Sequence, residues 1–259
     1  MERILANEYW YEPLSSRSIL ESEYEQSIFR YSKQLFPGYW CLKFNELINS
    51  DFGSVKADMV LIDEQYRGWT IIEAELEHHS FTGHVEPQMQ KLVNGRYEQK
   101  HADAILREMP EMEKHRLSNL IRNTDPEFLV VVPKSDSNWR PTLSNMGVKM
   151  ATIEIYSNIT GQRIVTMSGD KPKSWPDHHL TRLLKDQRFL PRAFRVETPG
   201  ALPNGDSINM IYNHQLTTWR VITAQKTTFL LPNGTLDLEE QRSYSISKSK
   251  MGYLEIVES

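Results

Sequence analysis

The stretch GWTIIEAELEHHS, residues 68–80, sets Glu73, Glu75 and Glu77 two apart in a segment otherwise built like a buried strand. Residues two apart on a strand share a face, so the three carboxylates are expected to point the same way. Asp58, in the segment SVKADMVLID just before, is placed to lie opposite them across a strand pair. Carboxylates gathered on one patch repel one another and resist desolvation unless a cation holds them. A hard divalent cation such as Mg²⁺ takes oxygen ligands and keeps waters or substrate phosphates in its shell. Such a cluster would activate water and neutralise a phosphodiester transition state. The competing reading is an edge strand with solvated glutamates. The apolar WTII ahead of them and MVLI in the partner segment argue against it.

Other constellations carry less chemistry. His78, His79 and His84 follow the glutamates closely, which admits a His/carboxylate site for zinc or manganese. His78 and His79 are adjacent, however, and would face opposite sides of a strand, and no His-Glu-x-x-His helix is present. What remains of that option is a single histidine assisting at the carboxylate-bound metal. Cys41 is the one cysteine, so an internal disulfide and a cysteine-based zinc site are excluded, and within FPGYWCLKF it reads as core. The chain has no G-x-S-x-G elbow, no Walker loop and no G-x-G-x-x-G, which points away from a serine hydrolase of that type, from ATP and from dinucleotides. His178 and His179 fall in a Pro-rich stretch and read as loop residues.

The elements that must position the glutamates can be laid out along the chain. Residues 19–35 space Ile19, Tyr24, Ile28, Tyr31 and Leu35 as a helix, stopped by PGY at 37–39. Strands are expected at 40–47, 54–63 and 69–77, the last two forming a hairpin about the turn EQYRG. A long helix is expected over roughly 84–107, with Pro87 in its first turn, and another over 111–122. FLVVVP (128–133) reads as a strand covered on both faces, followed by strands at 148–157 and 162–167. Then the character changes: SGDKPKSWPDHH is polar and Pro-rich, and TRLLKDQRFL reads as a short basic helix. From Arg195 onward short strands and the turns PGALPNGD and LPNGT suggest a small all-β barrel, too small to bury much alone. Its Tyr212, Trp219 and Phe229 read as core rather than as stacking platforms for bases.

At 259 residues, with 39% hydrophobic and 25% charged residues, the chain has an ordinary globular composition. No apolar run is long enough to span a bilayer, and MERILANEYWYEP lacks a secretory pattern, so no membrane partner and a cytoplasmic location are expected. The net charge of −4 is unevenly spread. Residues 1–77 carry 14 acids and 7 bases, whereas residues 163–195 carry 8 bases and 3 acids. A basic segment can hold a nucleic-acid backbone on an acidic chain, although a solvated basic surface is an equal reading of charge alone.

The order of these features resembles the PD-(D/E)XK nuclease superfamily: an acid-bearing helix, an Asp-bearing strand, a tight turn, a strand ending in acid-x-acid, then a helix with glutamines. The matching residues are Asp58 in KADMVLID, Glu73 and Glu75 in IIEAEL, and the helix HVEPQMQKLVNGRY, over about residues 19–157. The resemblance implies that Asp58 and Glu73 bind Mg²⁺ or Mn²⁺, with the Ala74 carbonyl as a third ligand. It implies Glu25, with Glu21 next, as a further acid that tunes the site or binds a second metal, and Gln88, Gln90 and Tyr97 as helix-borne residues, Gln88 positioning water or phosphate. An exposed helix face is an equal reading of Gln88 and Gln90. The family's lysine is replaced by Glu75, which can act as a base or orient water but cannot stabilise a phosphorane as a cation does. Lys56, Lys91 or a second metal would then supply that charge.

The sequence therefore leads to an α/β fold with a restriction-endonuclease-like mixed central sheet flanked by helices, followed by a small all-β barrel. The expected boundaries are 1–170 for the nuclease-like domain, 171–194 for a basic linker or helix and 195–259 for the barrel. The function expected is metal-dependent hydrolysis of DNA phosphodiester bonds, with RNA left open and restriction, repair or antiphage defence as settings by analogy. The alternative is a catalytically inactive nuclease fold that binds nucleic acid or protein. Lys56, Lys91, Arg182, Lys185, Arg188 and Arg192 are the expected nucleic-acid contacts, and a homodimer or a partner protein on the β tail stays open.

Overall fold

The computed structural model describes residues 3–15, 19–134, 138–175, 179–185, 193–203, 205–224, 226–234, 236, 243–249 and 252–258. In chain order its first elements are β1 (Ile4–Ala6), β2 (Tyr9–Pro13), α1 (Glu21–Arg30), α2 (Ser32–Leu35), β3 (Tyr39–Lys43), β4 (Ile48–Ser50) and β5 (Gly53–Val55). There follow β6 (Met59–Asp63), β7 (Trp69–Ala74), a π turn (Phe81–Val85), α3 (Glu86–Val93), α4 (Gln99–Glu108), α5 (Lys114–Asn123), β8 (Glu127–Val132), α6 (Trp139–Asn145), β9 (Val148–Ser157) and β10 (Arg163–Gly169). The rest is all β: β11 (His179–Lys185), β12 (Phe194–Val196), β13 (Ser207–Tyr212), β14 (Gln215–Ala224), β15 (Thr227–Pro232), β16 (Tyr244–Lys248) and β17 (Leu254–Glu258), with one 3₁₀ turn at Pro199–Ala201. Among the described residues no helix is long and apolar enough to cross a membrane.

The chain forms two compact units. The first comprises Met1–Ile62, Thr70–Tyr97 and Pro126–Pro172. Its mixed sheet runs β1-β2-β9-β8-β7-β6-β3, with β10 on the other side of β9, and helices flank it. The pairs β7–β8 and β8–β9 are parallel, which explains why β8 is apolar after Glu127: such a strand is covered on both faces. Helix α1 buries Tyr24, Ser27 and Ile28, and the Tyr24 hydroxyl donates to Ile153 O in β9 at 3.0 Å, pinning the helix to the sheet.

The second unit comprises Asp63–Trp69, Glu98–Asp125 and Lys173–Ser259. Its strands close a seven-stranded barrel in the order β11-β12-β15-β14-β13-β17-β16, with β16 returning to β11. Trp219, Met210, Leu230 and Ile246 fill the interior and are fully buried, and Phe229 is nearly so, while Tyr212 packs against Tyr244. These aromatics are core, as burial preference suggests. The barrel gains what its size lacks from α4 and α5, which sit in the same unit. Arg116 of α5 donates to Gly200 O (3.0 Å), Ala201 O (3.2 Å) and Gln65 O (2.6 Å). Both units are discontinuous along the chain, where the sequence suggested consecutive domains.

Four expectations about elements are corrected. Over its described part, 181–185, the basic segment is a strand, not a helix, while residues 186–190 lie outside the described residues: β11 buries Leu180, Thr181 and Leu183 and exposes Arg182, pairing with β12 and β16. Its Leu/Arg/Lys composition favours a helix, but barrel closure overrides propensity. The long helix over 84–107 is instead a π turn and two helices, α3 and α4, broken at Asn94-Gly95. Arg96 forms a bridge with Asn49 there, and a Cβ on Gly95 would stand 2.6 Å from Ile48 Cγ2 and 2.9 Å from Leu92 O. Gly95→Ala is therefore expected to cost about 1–3 kcal/mol by overpacking, read as a lowered melting temperature. The segment 54–63 divides into β5 and β6, and the strand over 69–77 ends at Ala74.

Candidate metal centre

Strand β7 sets the geometry. It lies between β6 and β8, in parallel register with β8 through Glu73↔Val130 and Ala74↔Val131, and the Glu75 N–H extends that ladder to Val131 O at 2.9 Å. Glu73 and Glu75 thus share a face, and each is 1% exposed. Two carboxylates on a strand buried by its neighbours are costly to ionise. Asp58 stands immediately before β6, and its Oδ2 accepts the Ala74 N–H at 2.8 Å, which ties the acid to the backbone between the two glutamates. Glu77 leaves the face, because the chain turns after Leu76, whose carbonyl accepts the His79 N–H at 3.0 Å. The expected stripe of three is a pair plus Asp58.

Glu73 is the centre of the arrangement. Its Oε2 accepts a short hydrogen bond from Gln88 Nε2 of α3, whereas Oε1 is buried with no hydrogen-bond partner. A buried carboxylate oxygen left bare is expensive, and a cation is the partner its chemistry suits. Gln88 therefore orients Glu73 here. Gln90 is exposed, and Tyr97 donates to Leu92 O at 2.7 Å as a brace of the α3 end.

The electrostatics agree with a site short of positive charge. Burial pushes the Glu73 carboxyl well above the usual carboxylate range, and the charges of Asp58 and Glu75 push it further. Burial likewise pushes Asp58 up to about 7, the Ala74 N–H offsetting part and Glu25 and Glu75 adding to it. Glu25, half-buried on α1, is raised by burial and by Glu21, and lowered by Lys43. Glu75 is raised by burial, against the pull of His79 and His84.

The sign of this cost can be read as stability. A carboxyl group with a folded-state pKa above its unfolded value favours the fold fully only below the unfolded value, near 3.8 for Asp58, and loses that contribution as pH rises through about 7. Without a divalent cation the protein is expected to melt at lower temperature at pH 8 than at pH 5.5. Asp58→Asn should flatten that slope in thermal melts run in a chelator, and an unchanged slope would contradict the assignment.

The other expected residues fall variously. Lys56 is exposed in the link between β5 and β6, and the Lys91 stem lies over β5, 3.7 Å from where a Cβ on Gly53 would stand. The lysine whose charge acts on an acid of the cluster is Lys43, exposed on β3, which sequence reasoning did not single out. The sheet order brings it there: β3 borders β6, and the Phe44 N–H donates to Asp58 O at 3.0 Å. Arg182 is exposed on β11, the Lys185 side chain lies outside what the structure describes, and Arg188 and Arg192 fall outside the described residues. Cys41 is half-buried with its thiol pushed up to about 12 by burial, which suits a packing role and not a nucleophile. The histidines are the larger surprise. His79 Nδ1 lies 2.6 Å from Glu75 Oε2, and His84 Nε2 lies 3.6 Å from Glu75 Oε1. The objection that adjacent histidines face opposite ways applied to a strand, and residues 77–80 are a turn.

The chain matches no family model, no curated protein and no solved structure.

Proposed function

We propose that this chain is a divalent-metal-dependent nuclease that hydrolyses DNA phosphodiester bonds on a restriction-endonuclease-like sheet. The observation that carries the reading is the bare, buried Glu73 Oε1 beside Asp58 and Glu75. Support also comes from the order of parts: an acid-bearing helix α1, the β6–β7 pair with its acids at adjoining ends, and α3 reaching back to Glu73 through Gln88.

Asp58 and Glu73 would hold Mg²⁺ or Mn²⁺, with the Ala74 carbonyl as a third ligand. When bound, the cation would supply Lewis-acid stabilisation of the charge that develops on the phosphoryl oxygens. Glu75 orients a water and takes its proton as the oxygen attacks phosphorus, while the bond to the leaving oxygen breaks and that oxygen is protonated from solvent. Glu25 tunes the cluster. Lys43, whose charge acts on Glu25, is proposed to provide the positive charge that Glu75, standing in the lysine position, cannot. Exposed Lys56 and Arg182 are proposed backbone contacts for DNA.

The second reading, an inactive nuclease fold that only binds, is favoured by one observation: Glu75 is already engaged by His79 at 2.6 Å. Incubation of the full chain with supercoiled and linear DNA separates the two. The nuclease reading expects nicked or shortened products with Mg²⁺ or Mn²⁺ and none with chelator. Tight, salt-sensitive DNA binding without cutting under either metal would replace it with the binding module.

A further inference from the structure

Beside the carboxylate centre stands a group of different chemistry. One ligand atom each from Glu75, His79 and His84 lies within 4.8 Å of the others. Glu75 is buried, the His79 side chain is 20% exposed and that of His84 53%. Glu21 approaches from α1, its Oε2 3.7 Å from His79 Nε2. Residues 75–84 supply all three atoms from a short local stretch: a turn follows Leu76, and the π turn opened by Ser80, whose Oγ accepts the Gly83 N–H, delivers His84. The rings of His79 and His84 stand nearly perpendicular, 81° apart, with centroids 5.2 Å apart. Perpendicular rings let two nitrogens converge on one point without stacking.

We propose that Glu75, His79 and His84 form a second divalent-cation site, one that takes a nitrogen-favouring transition metal such as Zn²⁺ and discriminates against Mg²⁺. Zinc–nitrogen and zinc–oxygen bonds near 2.0–2.1 Å place tetrahedral ligand atoms about 3.3 Å apart. His79 Nδ1 stands 2.6 Å from one Glu75 oxygen and His84 Nε2 stands 3.6 Å from the other, and with one atom from each residue within 4.8 Å of the rest, side-chain rotation would bring the set to that spacing. His79 and Glu75 share a hydrogen bond along the edge that a metal would span. Two imidazoles and one carboxylate leave a fourth position for water or for Glu21. Imidazole suits zinc, copper, iron and nickel, whereas Mg²⁺ demands oxygen and keeps its waters. A cleft of about 650 Å³ lined by Glu21, Glu25, Leu76 and His79 reaches the group at His79. Because Glu75 also faces Glu73, it would join the two centres. The inference rests on the nuclease reading only for what the second cation would do there; the binding itself does not need it.

The test is calorimetric titration of the tag-free, full-length, metal-stripped chain with Zn²⁺ alone and with Mg²⁺ alone, on wild type, His84→Ala, His79→Ala and Glu73→Gln. Cobalt(II) absorption bands serve as a second readout of nitrogen ligation. The expected result is a Zn²⁺ site whose affinity falls at least tenfold in each histidine variant, the range known for disturbing even the outer partners of a metal site. The same variants should lose the Co²⁺ bands and leave Mg²⁺ binding unchanged. Glu73→Gln should lose Mg²⁺ binding and keep the zinc site. Zn²⁺ binding that both histidine variants retain in full, or wild type that prefers Mg²⁺ to Zn²⁺ here, overturns the proposal. Loss of Zn²⁺ in the histidine variants with Mg²⁺ binding intact in Glu73→Gln would sink the carboxylate centre and leave this one standing.

Discussion

If the proposed nuclease activity is right, Glu73→Gln is expected to yield a folded protein that does not cut DNA. Glutamine has the same shape, and its carbonyl oxygen can still accept from Gln88 Nε2, so the helix–strand contact survives. What is lost is the charge at a buried position whose second oxygen has no other partner. A bound cation contributes several kcal/mol of transition-state stabilisation, and each 1.4 kcal/mol is tenfold in rate, so a fall of roughly 10³-fold or more is expected. Stability should move the other way. Removing a carboxyl group that burial and its neighbours make hard to ionise relieves the cluster, so the metal-free variant should melt at or above the wild-type temperature at pH 8. Initial rates of plasmid nicking with Mn²⁺, paired with thermal melts, read both. Cleavage within tenfold of wild type would remove Glu73 from the metal-binding set. A collapsed melt would mean the carboxylate is structural.

The largest loss of stability is expected from Arg67→Met. Arg67 lies in the turn between β6 and β7, and the side chains of Arg67 and Asp63 are 7% and 2% exposed. The guanidinium meets Asp63 through two bonds, Nε to Oδ1 at 2.7 Å and Nη2 to Oδ2 at 2.8 Å, and Nη1 donates to His179 O at 2.9 Å. Asp63 Oδ1 also accepts the N–H groups of Gln65 and Arg67, so one carboxylate shapes the turn and balances the arginine. Removing one partner of a buried ion pair strands the other charge and costs about 3–5 kcal/mol. For a chain of this size that is a fall on the order of 10 °C in melting temperature. The double variant Asp63→Asn/Arg67→Met should recover part of the loss, since asparagine still accepts the turn's N–H groups without a charge. A single variant within 1 kcal/mol of wild type, or a double variant with the summed loss of both singles, would show the pair is not coupled in this way.

How much of this was legible in the sequence depends on how local the cause is. The apolar run of β8 follows from cover on both faces, and the shared face of Glu73 and Glu75 from period-two patterning; both signals are carried within a few residues. The break at Gly95 was not legible, because it depends on Ile48 and Asn49 arriving from elsewhere in the chain. Strand β11 was hidden for a related reason: Leu180 and Leu183 become strand residues only because β12 and β16 flank them. The N-terminal strands β1 and β2 and the strand β16 had no distinct pattern of their own. Sequence spacing put Glu73 and Glu75 on one face, where the structure has them, but gave no sign of the turn after Leu76 that changes which way His79 and His84 face. A signal was present in Ser80-Phe-Thr-Gly83, a serine three residues ahead of a glycine, which is a local capping pattern. Lys43 could be found only from sheet order, which no residue-by-residue reading supplies.

The central claim is that a divalent cation sits against Glu73 Oε1. The most direct test is anomalous diffraction from crystals of the full chain soaked in Mn²⁺. The account expects a peak within about 2.0–2.4 Å of Glu73 Oε1, with Asp58 in the same coordination shell and the peak gone in Glu73→Gln. Clear density for both carboxylates with no manganese between them, at saturating Mn²⁺, would contradict it.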